Sequence, residues 1–282
     1  MGDNNNQKNS GASATGKIPT VISRPATKQE GESAYLLFKQ TVCPICDNEF
    51  KTRSVKSAGV RRIGSDRDLR PIFAGIDSIK YTLSSCPECG YTAMTRYFSP
   101  LNKAQINFIK KDALPKIEPT HLATPETYSY NDALELYRRA LICASAKKAK
   151  ISEISHTFLQ TSWLLRGMRN NLVDGGVSEN NPKILKLKQQ EDLYYKKAFD
   201  GFMKSLQQEN FPIAGMDENT FNYLLAQMSF KLEKYDITSK LVSRIIVNHA
   251  APHNVREKAR DLKDEVLEIM AAQKKAEEEA SE

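Results

Sequence analysis

Four of the chain's five cysteines fall in two Cys-Pro-x-Cys turns, Cys43-Pro44-Ile45-Cys46 and Cys86-Pro87-Glu88-Cys89, the second followed by Gly90. Thiolates three positions apart on a tight turn can grip one metal ion from the same side. A second such turn then closes a tetrahedron with Zn–S bonds of roughly 2.3 Å. One Zn²⁺ held by Cys43, Cys46, Cys86 and Cys89 is therefore the expected cofactor. Proline presets φ within each turn, and Gly90 supplies a permissive backbone after the last ligand. Asp47 takes that place at the first turn, and aspartate tolerates a left-handed conformation better than most residues. With every position of the tetrahedron filled by protein sulfur, none is left for water or substrate. A structural metal is expected, not a catalytic one.

Two other chemistries use the same residue types. Disulfides would require an oxidising compartment, yet residues 1–33 contain no apolar signal core and no apolar run reaches the roughly 20 residues that span a bilayer. A cytoplasmic chain without a membrane segment is expected, and there paired Cys-x-x-Cys turns favour metal over disulfide. A thioredoxin-type redox site needs one such pair at the start of a helix in a βαβ setting, whereas here two pairs sit in turn-rich sequence. Met1-Gly2 invites a myristoylation reading, but Asn6 stands where that motif asks for Ser or Thr.

Catalytic constellations find no support. The histidines are His121, His156, His249 and His253, and the one i, i+4 pair has Pro252 between its members, against a shared helical face. No phosphate loop, dinucleotide fingerprint or nucleophile elbow occurs. Cys143 lies on an apolar helical stripe, two residues past Leu141, and reads as a buried, inert thiol. The chain is not expected to be an enzyme.

The formal net charge of +7 lies wholly in the first part of the chain. Residues 1–115 carry 17 Lys+Arg against 10 Asp+Glu, and residues 116–282 carry 24 of each. Zinc bound by four thiolates has net charge −2, which lowers the excess to about +5. Lys51, Arg53, Lys56, Arg61 and Arg62 fall within twelve residues that contain no acid. That run could contact phosphates. Few aromatics interleave with it, so the stacking half of a single-strand platform is missing, and a solvated strand face is the favoured reading.

The elements that must position these residues follow from periodicity. Residues 1–33 form a polar tail too poor in apolar groups to order itself. Residues 34–98 form the zinc module, in which Tyr35-Leu36-Leu37-Phe38 precedes the first turn and Ile79, Tyr81 and Leu83 alternate as a strand leading into the second. Residues 99–124 are a connecting helix and linker, with Ser99 as N-cap, Pro100 at the first helical position and an end near Ile109. From 125 to 271 the period is helical. Tyr130, Ala133, Leu134, Tyr137, Leu141 and Ala144 make one stripe, and two later runs, from Phe221 and from Val255, repeat it. Gly175-Gly176, Asn180-Asn181-Pro182 and Phe211-Pro212 with Gly215 break the pattern, leaving five to seven helices. Residues 272–282 are a charged tail. Trp163, Gly167, Tyr195, Ala198 and Phe202 resemble a tetratricopeptide pair with a loop inserted at about 172–188. A second pair runs from Phe221 to Asn248, with Tyr235 in its turn. The fold class is mainly α: a small β-containing, zinc-ribbon-like module and a tetratricopeptide-like helical domain.

The order of a Cys-Pro-x-Cys turn, a basic spacer, Asp66-Arg67-Asp68-Leu69, an aromatic strand, Cys86-Pro87-x-Cys89-Gly90-Tyr91-x-Ala93 and Phe98, then helical repeats, resembles the bacterial domain-of-unknown-function family numbered 2225. The resemblance covers roughly residues 36–250. It implies a zinc-ribbon-like module fused to helical repeats, and no activity.

Three functions are compatible with these features. The first is a scaffold or adaptor whose helices hold a protein or peptide partner. The alternative is a nucleic-acid-binding regulator using Lys51, Arg53, Lys56, Arg61 and Arg62, and the third is a zinc or redox sensor with a labile site. A neutral helical half and sparse aromatics favour the scaffold.

Overall fold

A computed structural model describes residues 31–117 and 126–279. The polar tail to residue 30, His121 and the end of the charged tail lie outside them. Among the described residues the chain is mainly α-helical, with three two-stranded antiparallel sheets near its start. Strands β1 (Leu36–Val42) and β2 (Glu49–Val55) form one hairpin, β3 (Arg62–Ser65) and β4 (Pro71–Phe73) a second, and β5 (Leu83–Ser85) and β6 (Thr92–Met94) a third. Seven helices follow: α1 (Lys103–Phe108), α2 (Tyr130–Ala146), α3 (Ile151–Asp174), α4 (Pro182–Gln208), α5 (Glu218–Lys231), α6 (Tyr235–Val247) and α7 (His253–Glu279).

Helix starts obey their caps. Ser129 and Asp132 form a capping box on α2, Asn181 caps α4 with Pro182 in the first turn, and the Asp217 carboxylate accepts from the N–H groups of Asn219 and Thr220 on α5. The expected cap at Ser99 is not used. Ser99-Pro100 is a cis peptide, and α1 begins three residues later than expected, at Lys103, where Asn102 and Gln105 make the capping box. Ile79 and Tyr81 do not alternate on a strand. They sit in a 3-10 turn, Ser78–Tyr81, started by the Asp77 carboxylate accepting from the Ile79 N–H, and Ile79, Tyr81 and Leu83 are all buried. The break between α3 and α4 is shorter than expected, because Gly175 and Gly176 end one helix and Asn181 starts the next. Tyr235 opens α6 rather than lying in the turn before it.

Packing joins what periodicity separates. Ile79, Leu83 and Met94 share one core with Leu136, Tyr137, Trp163, Tyr195 and Phe202, so the third hairpin packs directly onto the helices. A second cluster under the cysteine turns joins Cys43, Cys86, Tyr91 and Phe98 to Ile109, Ala113 and Ile117, and to Cys143 of α2. Helices α3 and α4 approach closely at Gly201, where a Cβ would collide with Ser155 of α3.

Charge pins the β3–β4 turn into the helices. Arg166 of α3 donates to both carboxylate oxygens of Asp68 at 3.0 and 2.7 Å, to Asp66 at 2.8 Å and to Glu191 of α4 at 2.8 Å. Burial alone would raise the Asp68 and Glu191 carboxyls, but Arg166, with Lys231 beside it, holds both below the usual carboxylate range. Arg70, 2% exposed, bonds Asp77 at 2.8 Å, and Tyr130 of α2 donates to the same Asp77 oxygen at 3.0 Å. Gly167 of α3 makes room for this cluster, since a Cβ there would strike Asp77 and Arg70. Its small size therefore serves contact with the turn-bearing module.

Candidate metal centre

Each cysteine pair caps a hairpin or its extension, and the two turns repeat one local geometry. The Cys43 N–H donates to Asn48 O at 2.9 Å and the Asp47 N–H to Cys43 O at 3.0 Å. The Cys86 N–H donates to Tyr91 O at 2.9 Å and the Gly90 N–H to Cys86 O at 3.0 Å. Asp47 has φ 58° and Gly90 φ 76°, the left-handed backbone expected at both turns. Gly90 is the more constrained position, because Ile117 lies against the site a Cβ would take.

The turns face one another. Cys43 and Cys89 Sγ lie 3.6 Å apart, as do Cys46 and Cys86 Sγ, and all four sulfurs fall within 4.8 Å of each other. Zinc–sulfur bonds of roughly 2.3 Å at the tetrahedral angle require sulfurs about 3.8 Å apart, whereas a disulfide would bring them to about 2.05 Å. The observed spacing fits the tetrahedron. Among the described residues these four cysteines are the group able to hold a metal ion. Asn48 Nδ2 lies 3.9 Å from Cys86 Sγ, a weak outer contact. Without a cation, the neighbouring thiols hold Cys86 well below the usual thiol range. Cys43 is correspondingly pushed up to about 12, first by its bond with Cys86 and then by burial. A divalent cation replaces this shared-proton arrangement with four thiolates. Cys43 and Cys86 are buried, Cys89 is half-buried and Cys46 is exposed.

Cys143 lies beneath the centre, outside the four-sulfur group, and burial pushes its thiol up to about 11. His253 opens α7 and is exposed, so it shares no helical face with His249.

The basic run does not form a single patch. Lys51 on β2, Arg61 and Arg62 are exposed, while Lys56 is half-buried and donates to Ala34 O at 2.8 Å. Arg53 is 5% exposed, donates to Glu126 O and Tyr128 OH, and stacks 4.6 Å from the Tyr128 ring. It lies on the same face of the hairpin as Phe38, over whose ring it also sits at 5.7 Å. The ionic cluster around Arg166 has no signal in the sequence, because α3 and α4 carry other charged residues and nothing local sets Arg166 and Glu191 apart from Arg169, Lys188 or Asp192.

A family model described as "Uncharacterized protein conserved in bacteria (DUF2225)" matches residues 36–266. No curated protein and no solved structure matches the chain.

Proposed function

This chain belongs to the DUF2225 family of bacterial proteins, and we propose that it is a non-enzymatic zinc-binding scaffold whose helices receive a protein or peptide partner. The metal in this reading is one structural Zn²⁺ on Cys43, Cys46, Cys86 and Cys89, an ion suited to four thiolates in a tetrahedron. Its task is to hold the first and third hairpins together, and with them the β3–β4 turn that enters the helical half.

The observation that carries the partner reading is a groove of about 320 Å³ where the two halves meet. Arg67 of the β3–β4 turn, Tyr223 of α5, and Lys258, Asp261, Leu262 and Glu265 of α7 line it. Arg67 and Glu265 close one side of it as an ion pair at 2.7 Å, and the exposed Lys258 and Asp261 offer a donor and an acceptor to the side chains of a peptide. The antiparallel pair α5–α6, followed by α7, supports a tetratricopeptide-like arrangement behind the groove.

Full-length protein and a Tyr223→Ala, Lys258→Glu variant, matched in zinc content and far-UV signal, test this by capture of partners from bacterial extract. A protein retained by the first and lost by the second is expected. Micromolar binding to DNA or RNA near physiological salt would overturn the scaffold in favour of the regulator, if replacing Lys51, Arg61 and Arg62 flattens its salt dependence by about 0.9 in slope per lost phosphate contact.

A further inference from the structure

We propose that the free edge of β1 pairs with β1 of a second copy of this chain, antiparallel, about a two-fold axis through Gln40. Among the described residues β1 pairs with β2 alone. The hydrogen bonds from the Cys43 N–H to Asn48 O and from the Lys56 N–H to Tyr35 O fix the parity of the ladder. Odd-numbered residues of β1 therefore turn their backbone groups toward β2. Phe38, Gln40 and Val42 turn theirs outward, away from any strand.

The same three residues place their side chains on one face, and that edge carries an unusual apolar load. Leu37 is 43% exposed, Phe38 46% and Val42 52%. A strand edge with open N–H and C=O groups and exposed apolar side chains is a template for another strand.

The sequence of the edge selects its occupant. Centring the two-fold on Gln40 sets the outward residues from Phe38 to Val42 opposite one another: Phe38 faces Val42 of the second copy twice, and Gln40 faces itself, while Leu36, buried on its own side, lies opposite Pro44 beyond the end of the new ladder. Lys39 then meets Thr41. Moving the axis to Lys39 would set two lysines opposite one another, which is destabilising. Moving it to Phe38 would require the partner of Val42 to come from residues 32–35, which form a 3-10 turn and not a strand. The Gln40 register is thus the one that joins Phe38 to Val42 without setting like charges opposite one another.

Sedimentation of the full chain, across roughly 1–200 µM where small interfaces associate, should reveal a concentration-dependent dimer. Gln40→Pro removes an N–H that the β1–β2 ladder does not use and should weaken association at least tenfold, with zinc content and far-UV signal unchanged. Phe38→Glu and Val42→Lys should each weaken it similarly when alone. An equimolar mixture of those two variants should associate again, since one of the two mixed pairs becomes Glu against Lys and the other stays Phe against Val. A monomeric wild-type chain over that range overturns the proposal. So does a dimer indifferent to Gln40→Pro, failure of the mixture to recover, or dimerisation seen only after residues 1–30 are removed, which would assign the edge to the chain's own upstream segment.

Discussion

Arg166 grips Asp68 with two hydrogen bonds, of 3.0 and 2.7 Å, across 98 positions of sequence. The pair ties the turn between β3 and β4 to the middle of α3, so the insertion between the two cysteine turns clamps the strand-bearing part onto the helices.

Replacing Arg166 with alanine should leave Asp68 and Glu191 buried without their main partner. The expected loss is about 3–5 kcal/mol, the range for breaking one side of a buried ion pair. Denaturant unfolding measures it. If Arg166→Ala unfolds at the wild-type midpoint, the clamp contributes nothing to stability.

One equivalent of zinc should copurify with the chain, and Cys86→Ser should reduce that content sharply, since it removes one of the four sulfurs that lie within 4.8 Å of each other. Structural zinc contributes on the order of 10–16 kcal/mol in small fingers, so chelation should release the cysteine turns. The far-UV helical signal should largely persist, because the ionic contacts of Arg166 and Arg70 do not involve the sulfurs. Elemental analysis with circular dichroism checks both expectations. Full zinc in Cys86→Ser would remove that residue from the ligand set.

Trp163, the chain's one tryptophan, is 6% exposed within the shared core. Its emission should be blue-shifted in the native protein and move to the red on unfolding. Trp163→Ala should cost about 3–5 kcal/mol. Native emission typical of hydrated indole would contradict the packing of α3 against α4.

His156 is buried in α3, where its Nε2 lies 3.2 Å from the Gln160 amide nitrogen and accepts from it in the neutral ring. Burial, and secondarily the charge of Arg96, depress it from 6.5 to about 4. The unfolded chain therefore binds a proton that the folded chain refuses. Stability should be unaffected by this group above about pH 6.5, decline as pH falls toward 4, and lose about 3 kcal/mol by the end of that window. His156→Gln should flatten the decline, and an unchanged slope would assign the acid sensitivity to other groups.

Residue types and local spacing determined much of this protein. Proline within each Cys-x-x-Cys turn and Asp47 or Gly90 after it set the turn geometry wherever the turns end up, and the helical stripes with their Gly, Asn and Pro breaks placed most helices. Those signals are local, acting over one turn of backbone. Tertiary structure decided what lies opposite what. Ile79 and Tyr81 read as strand because alternation is also produced when a short 3-10 turn buries several side chains, and only the neighbours on α2 and α3 distinguish the two. Ser99-Pro100 carried a cap signal that Asn102 and Gln105 satisfied instead. Arg53 and Lys51 look equivalent in the sequence, yet one stacks on Tyr128 from beyond residue 125 and the other faces solvent. Asp68 and Arg166 are ordinary surface residue types. Their burial depends on an insertion folding back onto α3, a long-range closure whose partners no spacing rule encodes.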